Sequence, residues 1–254
     1  MVNLLPFTKS GQTSGGSSGP QSGGGRSGGP QHGGGQQKQS GGGGLAGLAG
    51  LAKRGGGAAA AIASPSRLMP GEQLPHTTLH TVQGGRIEVG APTGKWQLVV
   101  VYRGKHCPVS KNYLASLQQI IYELDELGVE VVAVSGDGRE RAEAFLEVLK
   151  ATTETKEITY KVAYGLPLHE QFRWGLYVSN PRNFRETELP FPEPALFLLN
   201  PDGELQIVDY SNSPFARPDL RILVEGIRYI QENDYPVRGM FGLREAGNQY
   251  QGRY

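Results

Sequence analysis

Short apolar runs and longer apolar stripes follow one another along this chain from Leu74 onward. The run QLVVVY (97–102) is rich in β-branched valine and too short for a helix, so it predicts a buried strand. The segment after it, up to Gly128, has apolar residues at three- and four-residue steps, which predicts one long amphipathic helix. The stripe consists of Val109, Tyr113, Leu117, Ile120, Ile121, Leu124 and Leu127. The next run, VEVVAV (129–134), predicts a second, parallel strand reached by a right-handed crossover.

The same patterns predict further elements on both sides of this strand–helix–strand unit. Before it, TTLHTV and RIEVG alternate apolar and polar residues around Gly84-Gly85, which predicts a β-hairpin. After it, the sequence predicts in order a helix capped by Ser135 or Asp137, a strand over 158–165, a short helix over 168–174, a hairpin with its turn at 200–203, and a helix that starts at Pro218. Strands that alternate with helices indicate an α/β protein with helices on both faces of the sheet.

The only cysteine, Cys107, lies between the predicted central strand and the long helix. Pro108 suits the first helical position, because its ring fixes φ and its missing N–H would have had no partner there. Unpaired backbone N–H groups and the helix dipole would then stabilise a Cys107 thiolate. Cationic neighbours are supplied by Arg103, Lys105, His106 and Lys111. The pattern predicts a nucleophilic thiol, and the alternative is a buried structural cysteine.

Composition divides the chain into unequal parts. Residues 1–64 contain 21 of the 38 glycines, and no acidic residue occurs before Glu72. Such a segment cannot bury enough apolar surface to offset its chain entropy. We therefore predict a disordered Gly-, Ser- and Gln-rich extension over residues 1–68, one globular domain over 69–236, and a flexible tail over 237–254.

The charge and the cysteine count exclude several classes of function. From Glu72 onward there are 19 basic and 24 acidic residues, and this net charge of −5 disfavours binding to nucleic acid or to an anionic membrane. No apolar run approaches the roughly 18 residues of a membrane span. A single cysteine excludes an intramolecular disulfide and fits a reducing compartment, so we predict a cytoplasmic protein. An organellar location is the alternative if the N-terminal extension is a transit peptide.

The segment YRGKHCPVSKNYL (102–114) resembles the active-site loop of the thioredoxin-fold redoxins grouped with alkyl hydroperoxide reductase and thiol-specific antioxidant. In the branch whose loop reads Tyr-Arg-Gly-x-x-Cys-Pro-x-Cys, Ser110 takes the place of the second cysteine. The resemblance continues through VEVVAVSGD, PEPALFLLNPDGEL and PFARPDL, from about Pro70 to Gly239. It implies a thioredoxin-like three-layer sandwich, with a central mixed sheet, helices on both faces and an N-terminal β-hairpin.

The resemblance also implies a peroxiredoxin-like thiol oxidoreductase with antioxidant activity. Cys107 would be the nucleophile, Arg103 would stabilise its thiolate, and Ser110 would hydrogen-bond the sulfur. Pro194, or alternatively Pro192, would shape the substrate groove beside the cysteine. Arg217 would either serve as a structural cap partner of the last helix or point toward the thiol.

Three positions depart from the pattern of peroxiredoxins proper. Val100 and Gly104 replace the family's Pro and its Thr or Ser, and Pro194 stands where the family has Arg. Because Ser110 cannot resolve a disulfide, we predict single-cysteine chemistry on a peroxide or disulfide, completed by an external thiol such as glutathione or thioredoxin. No cofactor is implied, and a homodimer is compatible with this interpretation. The alternative is a non-catalytic redoxin that keeps the fold and binds partners through the loop over 179–194 and through the disordered N-terminal extension.

Overall fold

A computed structural model describes residues 66–240, and within them it contains nine strands and five helices. The strands are β1 (Thr77–Thr81), β2 (Arg86–Val89), β3 (Trp96–Val101), β4 (Val129–Val134), β5 (Lys161–Tyr164), β6 (Val178–Ser179), β7 (Phe191–Pro192), β8 (Ala195–Leu199) and β9 (Leu205–Tyr210). The helices are α1 (Pro108–Gln119), α2 (Ile121–Glu126), α3 (Arg139–Thr152), α4 (Leu168–Arg173) and α5 (Leu220–Glu232). The predicted N-terminal extension up to residue 65 and the predicted tail from residue 241 lie outside the described residues.

Seven strands form one mixed sheet in the order β2-β1-β5-β4-β3-β8-β9. β3 lies parallel to β4 and antiparallel to β8, so that Val99 faces Val132 on one side and Phe197 on the other. The predicted parallel pair and both hairpins are confirmed. This is a thioredoxin-like α/β fold. Among residues 66–240, no helix is long and apolar enough to cross a membrane.

Side chains alternate between two cores, one on each face of the sheet, because successive strand residues point to opposite faces. Leu98 and Val100 of β3 pack into the core that α1, α2, α3 and α5 cover. Val99 and Val101 pack into the second core, which Trp174 covers where α4 ends. β3 is therefore buried on both faces, and it holds the chain that follows it in a fixed position.

The long helix predicted between Pro108 and Gly128 is interrupted at Ile120. The N–H of Ile120 bonds to the carbonyl of Leu117 at 3.2 Å, a tightened turn that ends α1. Two β-branched residues, Ile120 and Ile121, meet at this point, and such residues lose side-chain freedom in a helix. The apolar stripe survives the interruption, since Leu117, Ile120 and Leu124 are all buried in the same core.

Two predicted caps are also different in the structure. Gly138, and not Ser135 or Asp137, is the N-cap of α3. Asp219 caps α5 by accepting the backbone N–H groups of Arg221 and Ile222, so that Pro218 precedes the cap instead of opening the helix. The carboxylate of Asp137 is used elsewhere, at the loop that precedes Cys107.

Candidate active site

Cys107 is the N-cap of α1, and Pro108 is the first residue of that helix, as the sequence predicts. The Cys107 sulfur accepts the backbone N–H of Ser110 at 3.4 Å. Cys107 is 2% exposed, so its sulfur is almost completely shielded from solvent. The placement follows from β3, whose buried end delivers the loop to the C-terminal edge of the central strands.

Arg103 is a second donor near the sulfur. Its Nη1 lies 3.8 Å from the Cys107 Sγ. Its Nη2 lies 3.5 Å from Glu186 Oε1, and its Nε lies 3.1 Å from Glu193 Oε2. The guanidinium also stacks over the Phe191 ring, 4.6 Å from the centroid. Arg103 is therefore held between two carboxylates and shares its positive charge between them and the sulfur.

Glu186 and Glu193 both belong to the loop that the sequence predicts over 179–194. Glu186 accepts the backbone N–H of Arg182 at 2.7 Å, and this bond, with the Arg182 and Arg103 charges, lowers the pKa of the Glu186 carboxyl. Glu193 accepts the Ser179 hydroxyl at 2.7 Å. Strands β6 and β7 pair at the base of this loop and fix its ends. This loop (179–194, the covering loop) thus lies over the site.

Asp137 lies beneath the loop that carries Cys107 (residues 102–107, the cysteine loop). Its carboxylate accepts the backbone N–H of Lys105 at 2.6 Å and the Nε–H of Arg141 at 2.9 Å. Gly104 passes directly over this carboxylate with φ +128, and a Cβ built there would lie 2.7 Å from the Asp137 Oδ2. The Thr or Ser of peroxiredoxins proper therefore has no room at this position in this backbone. Sequence reasoning missed the role of Asp137, because GDG at a strand end is typical of a turn and cap.

Ser110 connects the cysteine to Arg217. The Arg217 Nη2 donates to the Ser110 Oγ at 2.9 Å, and its guanidinium lies over the Tyr113 ring, 4.7 Å from the centroid. Burial lowers the pKa of the Arg217 guanidinium. Two alternatives were predicted for Arg217, a cap partner of the last helix or a residue that points toward the thiol. Its hydrogen bond goes to Ser110, next to the cysteine, whereas Asp219 caps the last helix. The Ser110 contact with the sulfur runs through its backbone N–H.

Pro194 precedes β8 and is buried. Its carbonyl accepts the N–H of Ser211 at 2.9 Å, so that this oxygen already has a partner within the protein. Pro194 is not among the residues that line the cavity beside the cysteine. Its predicted part in a substrate groove stays a prediction.

A cavity of about 560 Å³ opens beside Cys107. Its walls come from the cysteine loop, the start of α3 and the covering loop. The lining residues are Arg103, Lys105, His106, Cys107, Pro108, Arg141, Arg182, Asn183, Arg185 and Glu186. The arrangement brings a sulfur nucleophile, N–H donors and a space for a second reactant together.

The His106 ring lies against the Phe191 ring at a centroid distance of 4.5 Å. Burial lowers the pKa of His106, and the nearby Arg103 charge acts in the same direction. In the unfolded chain the imidazole binds its proton near pH 6.5. The folded protein binds that proton more weakly, so acid favours the unfolded state.

We therefore expect the free energy of unfolding to decrease as the pH falls below about 6.5, the ordinary pKa of histidine. Urea unfolding at pH 7.5 and pH 5.5 measures the decrease, and His106→Gln should remove part of it. His80→Gln serves as the control, because His80 is exposed on β1. An equal pH dependence in the His106→Gln variant and the unsubstituted protein would contradict this expectation.

Residues 70–208 match the model of the family described as AhpC/TSA, and this stretch is more than half of the chain. The chain belongs to the AhpC/TSA family. The match includes the cysteine loop, Asp137, the covering loop and β8. No similar protein is found among the curated proteins.

Solved structures with the same fold include several peroxiredoxins. A cysteine-to-serine mutant of the peroxiredoxin 6 of Arenicola marina is 18% identical, with a TM-score of 0.55 over 65% of this chain and 74% of that one. Enterococcus faecalis AhpC is 19% identical, with a TM-score of 0.52 over 68% of this chain and 99% of that one. The yeast mitochondrial 1-Cys peroxiredoxin is 13% identical, with a TM-score of 0.55 over 66% and 78%. At these identities the likeness shows a common fold.

Proposed function

We propose that this AhpC/TSA protein is a peroxiredoxin-like thiol oxidoreductase with Cys107 as its nucleophile. The observation that carries the proposal is the pair of N–H donors on the sulfur, the Ser110 backbone at 3.4 Å and Arg103 at 3.8 Å, at the wall of a cavity. Backbone N–H groups at a helix N-terminus and a guanidinium are the donors that hold a thiolate in redox-active cysteine sites. A structural cysteine needs neither.

The proposed reaction is attack of the Cys107 thiolate on a peroxide. The sulfur bonds to one peroxide oxygen, the O–O bond breaks, and the leaving oxygen takes up a proton to give water or an alcohol. Cys107 becomes a sulfenic acid, with the sulfur oxidised by two electrons and the peroxide reduced by two. The Arg103 guanidinium is the group near the sulfur that can stabilise charge on the leaving oxygen.

The rate should lie between those of free cysteine and of a dedicated peroxiredoxin. Gly104 offers no hydroxyl to the peroxide, and Arg103 shares its charge with two carboxylates. The Ser110 N–H and the Arg103 guanidinium are donors to the sulfur that free cysteine lacks, so Cys107 should react faster than free cysteine. Arg217 acts through Ser110, and we assign it a positioning role.

Completion of the cycle needs an external thiol, because the chain has one cysteine. The description of the yeast 1-Cys structure refers to thiol resolution through glutathione and thioredoxin systems. We propose the same two kinds of reductant for this chain, and a homodimer as an assembly to be checked by sedimentation.

The test is oxidation by hydrogen peroxide, followed by trapping of the sulfenic acid with dimedone and mass spectrometry of the intact protein. We expect one adduct per chain, located at Cys107, and no adduct in Cys107→Ser. Peroxide consumption with glutathione as reductant should disappear in the same variant. An unmodified Cys107 in the folded protein, at peroxide concentrations that oxidise free cysteine, would overturn the proposal.

A non-catalytic binding module is the second candidate, and the covering loop favours it. Phe184 and Leu189 of that loop are 81% and 69% exposed, and exposed apolar side chains on a loop are typical of partner contacts. The oxidation experiment decides between the candidates, because a binding module needs no reactive thiol.

A further inference from the structure

The cavity beside Cys107 has a charge opposite to that of the domain around it. Five of its ten lining residues are cationic, and one is acidic. The chain from Glu72 onward carries a net charge of −5. Basic residues are therefore concentrated at the cysteine, where the low-dielectric walls of a cleft focus their field on anions.

Neighbouring carboxylates neutralise only part of this charge. Arg103 pairs with Glu193 and shares Glu186 with Arg182. Arg141 pairs with Asp137. Three carboxylates thus face five cations, and two positive charges are left.

The two remaining cations are Lys105 and Arg185. Within residues 66–240, neither side chain forms an ion pair with a carboxylate. Both are exposed residues and both line the cavity. An anionic group that enters the cavity therefore meets two charges that have no partner within this part of the protein.

The size of the cavity indicates a ligand larger than hydrogen peroxide. Its volume of about 560 Å³ falls within the range of small-molecule sites. Cys107 is 2% exposed and is one of the residues that line this cavity, so a reactant must be small enough to enter the cavity to approach the sulfur.

We propose that the cavity binds small thiols that carry carboxylate groups, and that these are the preferred reductants of oxidised Cys107; this inference rests on the proposed function. The thiol sulfur bonds to the Cys107 sulfur, the S–O bond of the sulfenic acid breaks, and water leaves with the thiol proton. Cys107 is reduced by one electron equivalent and the thiol is oxidised by one, which gives a mixed disulfide. A second molecule of the thiol attacks that disulfide, releases the symmetrical disulfide and restores Cys107.

The experiment follows formation of the same mixed disulfide from small disulfides of different charge. The reduced full-length protein is treated with 3,3′-dithiodipropionate, 2-hydroxyethyl disulfide or cystamine, which are anionic, neutral and cationic. Intact-mass spectrometry gives the rate constant for the reaction of Cys107 with each disulfide. Each value is divided by the rate constant for 2-mercaptoethanol with the same disulfide, which corrects for the intrinsic reactivity of that disulfide. At low salt we expect the normalised rate constant of the anionic disulfide to be at least about tenfold higher than that of the neutral one. The cationic disulfide should have the lowest normalised rate constant.

Lys105→Glu/Arg185→Glu should abolish this preference. Lys95→Glu/Lys161→Glu is the matched control, because both lysines are exposed and neither lines the cavity. That variant changes the net charge equally and should keep the preference. Raising the salt concentration to about 0.5 M should weaken the preference in the unsubstituted protein, which provides a test that needs no substitution.

Equal normalised rates for the anionic and neutral disulfides would overturn the inference and leave the proposed function standing. A preference that survives in the Lys105 and Arg185 variant would overturn it as well. Failure of Cys107 to react with any of the three disulfides would instead count against the proposed function.

Discussion

Replacing Glu193 by glutamine is expected to lower the free energy of unfolding by roughly 2 kcal/mol, less than for a fully unpaired buried charge, because Arg103 keeps Glu186 as a partner. Both side chains of the Arg103–Glu193 pair are largely buried, and the two atoms lie 3.1 Å apart. Glutamine keeps the shape of the side chain and can still accept a hydrogen bond from the Ser179 hydroxyl. The variant therefore loses only the negative charge opposite Arg103. Urea unfolding at pH 7, monitored by tryptophan fluorescence, measures the change.

The matched control is Glu143→Gln on α3. Glu143 pairs with Arg139 at 2.7 Å, but both side chains are exposed. Exposed pairs of this kind contribute less than about 1 kcal/mol. If the two variants lose equal stability, burial does not determine the strength of the Arg103–Glu193 pair, and the account of how Arg103 is held beside Cys107 is wrong.

Gly104→Ala is expected to lower the free energy of unfolding by about 3 kcal/mol. The backbone of Gly104 has φ +128, where side chains are strained by roughly 1–3 kcal/mol. The new Cβ would also lie 2.7 Å from the Asp137 carboxylate, which is held by Lys105 and Arg141 and cannot easily retreat. Urea unfolding gives the stability, and the rate of iodoacetamide alkylation should show a more accessible Cys107 thiol.

Gly84→Ala separates the two contributions. Gly84 also has a positive φ, +94, but nothing lies within 4 Å of a Cβ built there. This variant should lose only the conformational part, about 1 kcal/mol. If both variants lower the free energy of unfolding equally, the close contact between Asp137 and position 104 contributes nothing to the loss.

The sequence predicted those parts of the protein that depend on neighbouring residues. The valine run gave β3, the Gly84-Gly85 pair gave the first hairpin, and Pro108 fixed the start of α1. In each case the signal is a side-chain period or a backbone restriction that acts within a few residues. Cys107 could therefore be placed at a helix N-terminus without any knowledge of the fold.

The surroundings of Cys107 could not be placed in this way. Glu186 and Glu193 meet Arg103 from about 80 and 90 residues away, and Arg217 reaches Ser110 across more than 100. In the sequence these residues belong to polar, proline-punctuated loops, in which a charge is typical of a solvated surface.

The order of helices and strands and the cysteine at a helix N-terminus can be predicted from the sequence, because both depend on local side-chain periods and on Pro108. The charges that surround the sulfur depend on the tertiary structure. Ion pairs such as those of Arg103 form only after the sheet has brought distant loops to one edge, and their strength depends on burial, which no local pattern encodes. The same holds for Asp137, whose carboxylate serves the loop above it instead of the helix that follows it in the chain.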